Sequence, residues 1–489
     1  MAAPHSELRL AFYGDDFTGS TDALEVLAFA GLRCALFLKV PDAQTLRELG
    51  PFDAIGIAGD SRGMSPAEME QALPPVLAAM ARLPTPLLHY KVCSTFDSSP
   101  AIGSIGRVMD LARAVYGDGA IPIVAGTPAL GRYCLFGNLF ARSGTDGKVH
   151  RLDRHPIMSA HPVTPMHEAD LARHLAAQTA QPITKFTWPQ LDADRDAVDR
   201  ELARQAADVH GAILFDAATP AHLTEIGRLL DGLASGRNGR HGSNGRNGRS
   251  RPLFCVGSSG LEYALTQWWR ECGFDPAPEL ANANANAKAD ADAFDAVPQL
   301  LAVSGSASPL SALQIDAALA AGFADLPVDA GALVAETDWQ DNLAALSERA
   351  IAALRQGRSV MLHTARGPQD PRIAAMLDAL VARGASRDQA RHGGGRLLGQ
   401  RLGAVVDAVL RAVPLRRLVL SGGDTSSQIT QCLAPDALHI AARLAPGAPL
   451  CRVASRQPHL RALQIALKGG QMGQADYFVA ALHGRPGPG

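Results

Sequence analysis

Two adjacent carboxylates, Asp15 and Asp16, sit in the run Gly14-Asp15-Asp16-Phe17-Thr18-Gly19-Ser20, after a short apolar stretch and before the helical pattern of residues 21–30. If the apolar stretch is a strand, both stand at its carboxyl end, where open α/β sheets bind ligands. One carboxylate can then accept a substrate hydroxyl or its proton while the other caps the helix. The plainer alternative is a turn and an N-cap with no chemistry. Two further strand ends bring cations. Arg62, in Gly59-Asp60-Ser61-Arg62-Gly63, suits bidentate capture of a carboxylate, against the alternative of a surface arginine. The same five residues have the G-x-S-x-G form of a hydrolase nucleophile elbow. However, Ser65-Pro66-Ala67-Glu68 reads as a capping box with Pro in the first turn, so the helix begins too late for Ser61 to be a nucleophile. Lys91 opens Lys91-Val92-Cys93-Ser94-Thr95-Phe96-Asp97, and its ammonium, the Ser94 and Thr95 hydroxyls and the Asp97 carboxylate match a small polyhydroxylated anion. Cys93 has no histidine close by in sequence and reads as a packed thiol. The three histidines of residues 155–167 lack H-E-x-x-H or similar ligand spacing, so no zinc site is expected there.

The second half carries another kind of chemistry. Three apolar runs lead into small, glycine-bearing loops: Ser304-Gly305-Ser306-Ala307-Ser308, Ser421-Gly422-Gly423-Asp424-Thr425, and Lys468-Gly469-Gly470-Gln471. Glycines let backbone N–H groups approach a phosphate, and a following helix N-terminus favours its negative charge. Three such loops suggest a polyphosphate. Neither G-x-x-x-x-G-K-[ST] nor G-x-G-x-x-G occurs, which counts against a P-loop ATPase and an ordinary dinucleotide fold.

Both sets of residues depend on strands to place them. Short β-rich runs alternate with longer helical patterns, the mark of an α/β chain with largely parallel sheets. The strand candidates are residues 8–13, 34–38, 54–58, 87–91, 121–125, 212–215 and 253–256, then 300–303, 360–363, 418–420 and 465–467. Residues 235–251 (SGRNGRHGSNGRNGRSR) contain no apolar side chain and read as a solvated insert; without Phe or Tyr to stack on bases, RNA binding is the weaker reading. Residues 281–292 (ANANANAKADAD) mark an interdomain linker, taken as 276–297, between domains 1–275 and 298–489.

Composition limits the classes. With 489 residues, 47% apolar and 19% charged, the chain can bury several cores and is not a disordered or fibrous protein. Lys plus Arg number 46 against 48 Asp plus Glu, so no global charge favours nucleic acid or a membrane surface. Seven cysteines without a C-x-x-C pair fit a reducing compartment. With no signal-peptide pattern and no apolar window of about 18 residues, a cytoplasmic protein is expected.

The motifs themselves resemble the four-carbon acid sugar kinases. The resemblance rests on GDDFTGSTD (14–22), GDSRG (59–63), YKVCSTFDSS with GSIG (90–106), HPVTPM (161–166), VGSSGLEYAL (256–265), LSGGDTS (420–426) and LKGGQMG (467–473), in order across both halves. It implies an N-terminal acid-sugar domain, a C-terminal ATP domain, catalysis with Mg2+ in the cleft between two α/β domains, and phosphorylation of a terminal hydroxyl. It puts ATP near Ser304, Ser306, Gly422, Gly423, Asp424, Thr425 and Gly470, and substrate near Asp15, Asp16, Arg62, Lys91 and Ser94. Asp16 is then the group that orients or deprotonates the hydroxyl, Lys91 and Arg62 grip the carboxylate, and Asp424 supports the metal. The segment from Lys91 to Ser98 resembles the 3-oxo-tetronate kinase branch. The departures GDDFTGSTD and GSIG leave a branched acid such as 3-oxo-isoapionate, or threonate or erythronate, as alternatives. A homo-oligomer is compatible with this reading. A nicotinamide-dependent oxidoreductase lacks its fingerprint here, and a non-enzymatic sugar-acid binding protein would not need three phosphate-type loops.

Overall fold

The computed structural model describes residues 8–143, 147–160, 164–208, 210–236, 251–274, 294–445 and 447–484. Residues 237–250 of the expected insert, 276–293 of the expected linker and 161–163 of the HPVTPM motif lie outside the described residues. The chain divides into two compact units, Met1–Cys34 with Lys39–Ala277, and Ala35–Leu38 with Pro278–Gly489.

The strands, in chain order, are β1 (Leu10–Gly14), β2 (Cys34–Phe37), β3 (Ala54–Ala58), β4 (Leu87–Lys91), β5 (Ile121–Val124), β6 (Arg132–Leu135), β7 (Asn138–Arg142), β8 (Val149–Arg151) and β9 (Ile183–Phe186). They continue as β10 (Ala212–Phe215), β11 (Leu253–Gly257), β12 (Leu301–Ser304), β13 (Ala324–Pro327), β14 (Val360–His363), β15 (Arg417–Ser421), β16 (Ala437–Ala445), β17 (Ala448–Ala454) and β18 (Gln464–Lys468).

In the first unit the order β3-β1-β4-β11-β5-β10-β9 is parallel throughout. Strands β1, β3, β4, β5, β10 and β11 are buried along their whole length, which explains why they read as continuous apolar runs rather than alternating ones. Their carboxyl ends are in register: Gly14 stands beside Ala58 on one side and Lys91 on the other, and Lys91 beside Gly257. The chain passes to one side of β1 to form β3 and returns to the other side to form β4, so the connections diverge above the β1/β4 ends. Such a switch point opens a crevice for a ligand. A small antiparallel sheet, β6-β7-β8, is added after β5. It was not among the strand candidates. Its first turn is Phe136-Gly137, both at positive φ (51° and 76°), the geometry a two-residue hairpin needs.

In the second unit β13-β14-β12-β15-β18 are parallel. The sheet then turns antiparallel through β17 and β16, and Leu36 of β2 pairs with Leu438. A core of Leu300, Ala302, Met361, Val419 and Ala466 packs beneath Ile315, Phe323 and Phe478. Its strand ends line up as Pro327, His363, Ser304, Ser421 and Lys468.

Candidate active site and nucleotide pocket

At the first unit's switch point the structure brings together Asp15, Asp16, Arg62 and Lys91. Asp16 caps the helix Phe17–Phe29: its Oδ1 accepts the Gly19 N–H at 2.7 Å and its Oδ2 the Thr18 hydroxyl at 2.8 Å. Arg62 Nη1 lies 2.9 Å from the same Oδ2. A carboxylate offers about four acceptor positions, so one remains on Asp16 for a ligand hydroxyl. Asp15, 4% exposed, is held by Arg62 through Nε (3.1 Å) and Nη2 (2.8 Å). Arg62 is therefore shared between two carboxylates and keeps only part of its fork for anything else.

Lys91 is different. Its side chain is 2% exposed, its nearest ion-pair partner is Asp22 at 3.6 Å, and no described residue accepts a hydrogen bond from its ammonium. A Cβ on Gly19 would lie 3.0 Å from Lys91 Nζ and collide with Asp16 Oδ1, so the bare backbone there is what lets lysine and carboxylate approach. Burial lowers the lysine's pKa, but Asp22, Asp15 and Asp16 outweigh it and the ammonium is held charged. Burial lifts the Asp15 pKa, with Arg62 taking back only part of the rise. On Asp16 the same burial is overcome by Arg62 and Lys91, which hold it as a carboxylate.

The loop after β4 is pinned by its own side chains. Thr95 Oγ1 donates to Asp97 Oδ1 at 2.5 Å and meets Cys93 Sγ at 3.0 Å, while Phe96 sits at φ 52°. The Cys93 thiol is pushed up to about 11 by burial and Asp97, which fits a packed group rather than a nucleophile. Ser94 is half-buried in the turn, with no hydrogen bond to a described residue. Ser61, fully buried, meets the Tyr90 hydroxyl at 2.8 Å and opens a single 3-10 turn, Ser61–Gly63; the α-helix starts only at Pro66 behind a complete Ser65/Glu68 capping box. No hydrolase elbow forms.

The second unit holds a cavity of about 310 Å³ at the ends of β12, β14, β15 and β18, lined by Gly305, Ser306, Gly422, Asp424, Thr425 and Gly470 among others. Three glycines are required here. Gly422 is at φ 109°, a Cβ on Gly305 would collide with Thr425 Oγ1, and one on Gly470 with Ser306 Oγ. The helix Gly423–Leu433 begins at this turn and directs its N-terminus, with Asp424 in the first turn, toward the cavity. Ser304 is fully buried, its Oγ has no hydrogen-bond partner, and it lies beneath the cavity rather than on it.

Family models match both units: a sugar-binding N-terminal domain over residues 10–265 and a nucleotide-binding C-terminal domain over residues 301–478. The chain is similar to a 3-oxo-isoapionate kinase of Paraburkholderia graminis, 42% identical over 479 residues that cover 98% of this chain and 95% of that one. The chain belongs to the four-carbon acid sugar kinase family. A 3-oxo-tetronate kinase of Methylobacterium radiotolerans is 30% identical over 481 residues, covering 97% of this kinase and 99% of that one. A crystal structure from Salmonella typhimurium LT2 has the same fold, with a TM-score of 0.68 at 22% identity over 97% of this chain and 99% of that one. This kinase is thus a phosphotransferase that uses ATP and acts on a sugar-acid hydroxyl.

Several residues of the kinase escaped sequence reading. Thr364, Arg372, Met376 and Gly395 line the nucleotide-unit cavity. The 360–363 strand was recognised, so Thr364 just past its end was within reach. Arg372 is held by Asp370 (2.7 Å) and the His363 carbonyl (2.7 Å), a placement no local pattern announces. In the first unit His89, fully buried on β4, lies 2.6 Å from Glu262 and 3.1 Å from the Gly257 carbonyl, bracing the strand end that carries Lys91. Among the described residues, no helix is long and apolar enough to cross a membrane.

Proposed function

We propose that this kinase phosphorylates the terminal hydroxyl of 3-oxo-isoapionate, with Asp16 and Lys91 as the principal substrate-facing groups and Mg2+ as the accompanying ion. Support for the substrate is the 42% identity to a 3-oxo-isoapionate kinase, against 30% to a 3-oxo-tetronate kinase. This reverses the order of preference that the Lys91–Ser98 segment suggested. The observation that carries the mechanism is the contrast between the two cations. Arg62 is committed to Asp15 and Asp16, whereas Lys91 holds its donors unspent beside them.

Asp16, ionised and fixed by its cap, has one acceptor position left and orients the attacking hydroxyl through it. Proton transfer to such a group contributes typically ~10²–10⁴-fold. Lys91 takes the substrate carboxylate, helped by the remaining N–H groups of Arg62, with Ser94 at the rim. Asp15 stays internal and holds Arg62 in plane.

The residues of the second unit fit a nucleotide: bare backbone at Gly305, Gly422 and Gly470, hydroxyls at Ser306 and Thr425, and a helix N-terminus. Ala330, Ile373, Met376 and Leu398 give the same cavity an apolar side suited to a base. Asp424, on the same cavity wall, would offer a carboxylate oxygen to a Mg2+ ion keeping most of its waters. Bound there, ATP and Mg2+ supply the phosphoryl group and neutralise its charge. Ser304, buried below the cavity, acts through the shape of the Gly305 turn.

The test is a coupled ADP-release assay over 3-oxo-isoapionate, 3-oxo-tetronate, threonate and erythronate. The proposal expects the highest kcat/KM with 3-oxo-isoapionate. Faster turnover of 3-oxo-tetronate removes the substrate assignment but not the mechanism, and no ADP release with any of the four removes both.

A further inference from the structure

Lys468 is a charged side chain that, among the described residues, has nothing of opposite charge beside it. It ends β18, is fully buried, and no carboxylate lies within ion-pair distance among the described residues. Its ammonium donates to the Gly469 carbonyl at 3.1 Å and stands 5.6 Å from the centre of the Tyr477 ring. Burial pulls its pKa down to about 8, which leaves it mostly protonated at neutral pH. Beside it in the strand-end row are Ser421 and Ser304, whose buried hydroxyls have no hydrogen-bond partner among the described residues. Keeping an unpaired ammonium out of water is unfavourable, and the residue one pleat below on the same sheet face, Ala466, belongs to an apolar core.

The peptide geometry shows what the lysine does. In a trans peptide the N–H points away from the carbonyl of the same unit. The Gly469 carbonyl is turned inward to Lys468, and the Gly470 carbonyl accepts the hydroxyls of Ser308 (2.5 Å) and Ser311 (2.9 Å). The N–H groups of Gly470 and Gln471 are therefore turned outward, and neither donates to a described residue. Gly470 lines the cavity.

We infer that Lys468 is a positioning residue for the nucleotide: its ammonium fixes the Gly469 carbonyl so that the Gly470 N–H faces the phosphate chain, and its uncompensated charge makes that end of the cavity favour an anion. The inference rests on the reading of this cavity as the nucleotide site.

The experiment is Lys468→Met in the full-length enzyme, which keeps an unbranched side chain one atom shorter and without its charge. ADP affinity is measured by calorimetry, melting temperature by fluorescence, and KM for ATP and for the acid sugar by ADP release. The expected result is an ADP Kd and an ATP KM at least ~10-fold higher, an acid-sugar KM within ~2-fold, and a melting temperature unchanged or higher, since a buried ammonium has been removed. A purely structural lysine would lower the melting temperature and leave the ATP KM alone, and that result overturns the inference. If Lys468→Met does not fold, Lys468→Gln, which removes the charge but leaves a polar side chain, takes its place and should raise the ATP KM ~3-fold or more; no rise there also overturns it. Wild-type enzyme that fails to bind ADP sinks the nucleotide reading and this inference together, whereas wild-type binding with an unaltered variant removes only the role of Lys468.

Discussion

Replacing Asp16 by Asn separates the helix cap that this residue forms from the catalytic role proposed for it. As an N-cap, Asn is about as good as Asp, so the hydrogen bond now made to the Gly19 N–H at 2.7 Å survives and the helix Phe17–Phe29 loses at most a few tenths of a kcal/mol. What disappears is the negative charge and the Oδ2 acceptor facing Arg62 Nη1 at 2.9 Å; the open position on Oδ1 remains, but as an amide oxygen it can no longer take the proton of a substrate hydroxyl. Loss of a group that orients and accepts the proton should lower kcat by ~10²–10⁴, or about 3 to 5 kcal/mol at ~1.4 kcal/mol per decade. The nucleotide residues all belong to the second unit, so the ADP Kd should stay within ~2-fold. ADP release at saturating acid sugar reads the first number and calorimetry the second. A folded Asp16→Asn enzyme with kcat within ~5-fold of wild type would refute the assignment and leave Asp16 as a cap.

The same residue sets a pH expectation. Burial raises the Asp16 pKa, Arg62 and Lys91 more than reverse the rise, and the net shift is downward. A carboxylate whose folded pKa lies below its unfolded value of ~3.9 contributes stability above that value and loses it as pH falls through the folded pKa. Activity should therefore show no Asp16 limb between about pH 5 and 8; a limb there that vanishes in the Asn variant would contradict the ionised assignment. Arg62→Met leaves buried Asp15 without its partner and should cost the first unit about 3 to 5 kcal/mol in urea unfolding, much of it recovered when Asp15→Asn is added; a loss under ~1 kcal/mol would show that the pair does not hold the site. Gly422→Ala forces φ 109° on a residue with a Cβ, at about 1 to 3 kcal/mol. If the turn relaxes out of shape, ADP affinity falls ~10- to 100-fold, and an unchanged ADP Kd would exclude this turn from the nucleotide site.

The legible parts of the chain were those where local pattern and tertiary role coincide. Strands buried on both faces read as apolar runs, and the residues just past them, Asp15, Arg62, Lys91 and Gly422, take their positions from strand ends alone. The hairpin β16–β17 was missed because Pro446 and Pro449 punctuate it, and proline normally argues against strand. The 34–38 run announced a strand without announcing that residues 35–38 join the second unit, because sheet membership is a long-range choice. The long helix Arg387–Ala412 contains Gly393, Gly394 and Gly395, a run that local propensity counts against a helix and that tertiary packing overrides. The division of labour between the cations was also invisible in sequence. Nothing in the spacing of Arg62 and Lys91 says that one is consumed by Asp15 and Asp16 while the other keeps its donors.

That division is the centre of the account, and Lys91→Met tests it most directly. With ATP labelled at its γ-phosphorus and 3-oxo-isoapionate as acceptor, the wild-type enzyme should move the label onto the acid sugar. The variant should bind ADP as wild type does, yet need at least ~100-fold more acid sugar to reach half its maximal rate of label transfer. Label transfer by Lys91→Met with an acid-sugar KM near the wild-type value would contradict the assignment of Lys91 as the group that holds the substrate.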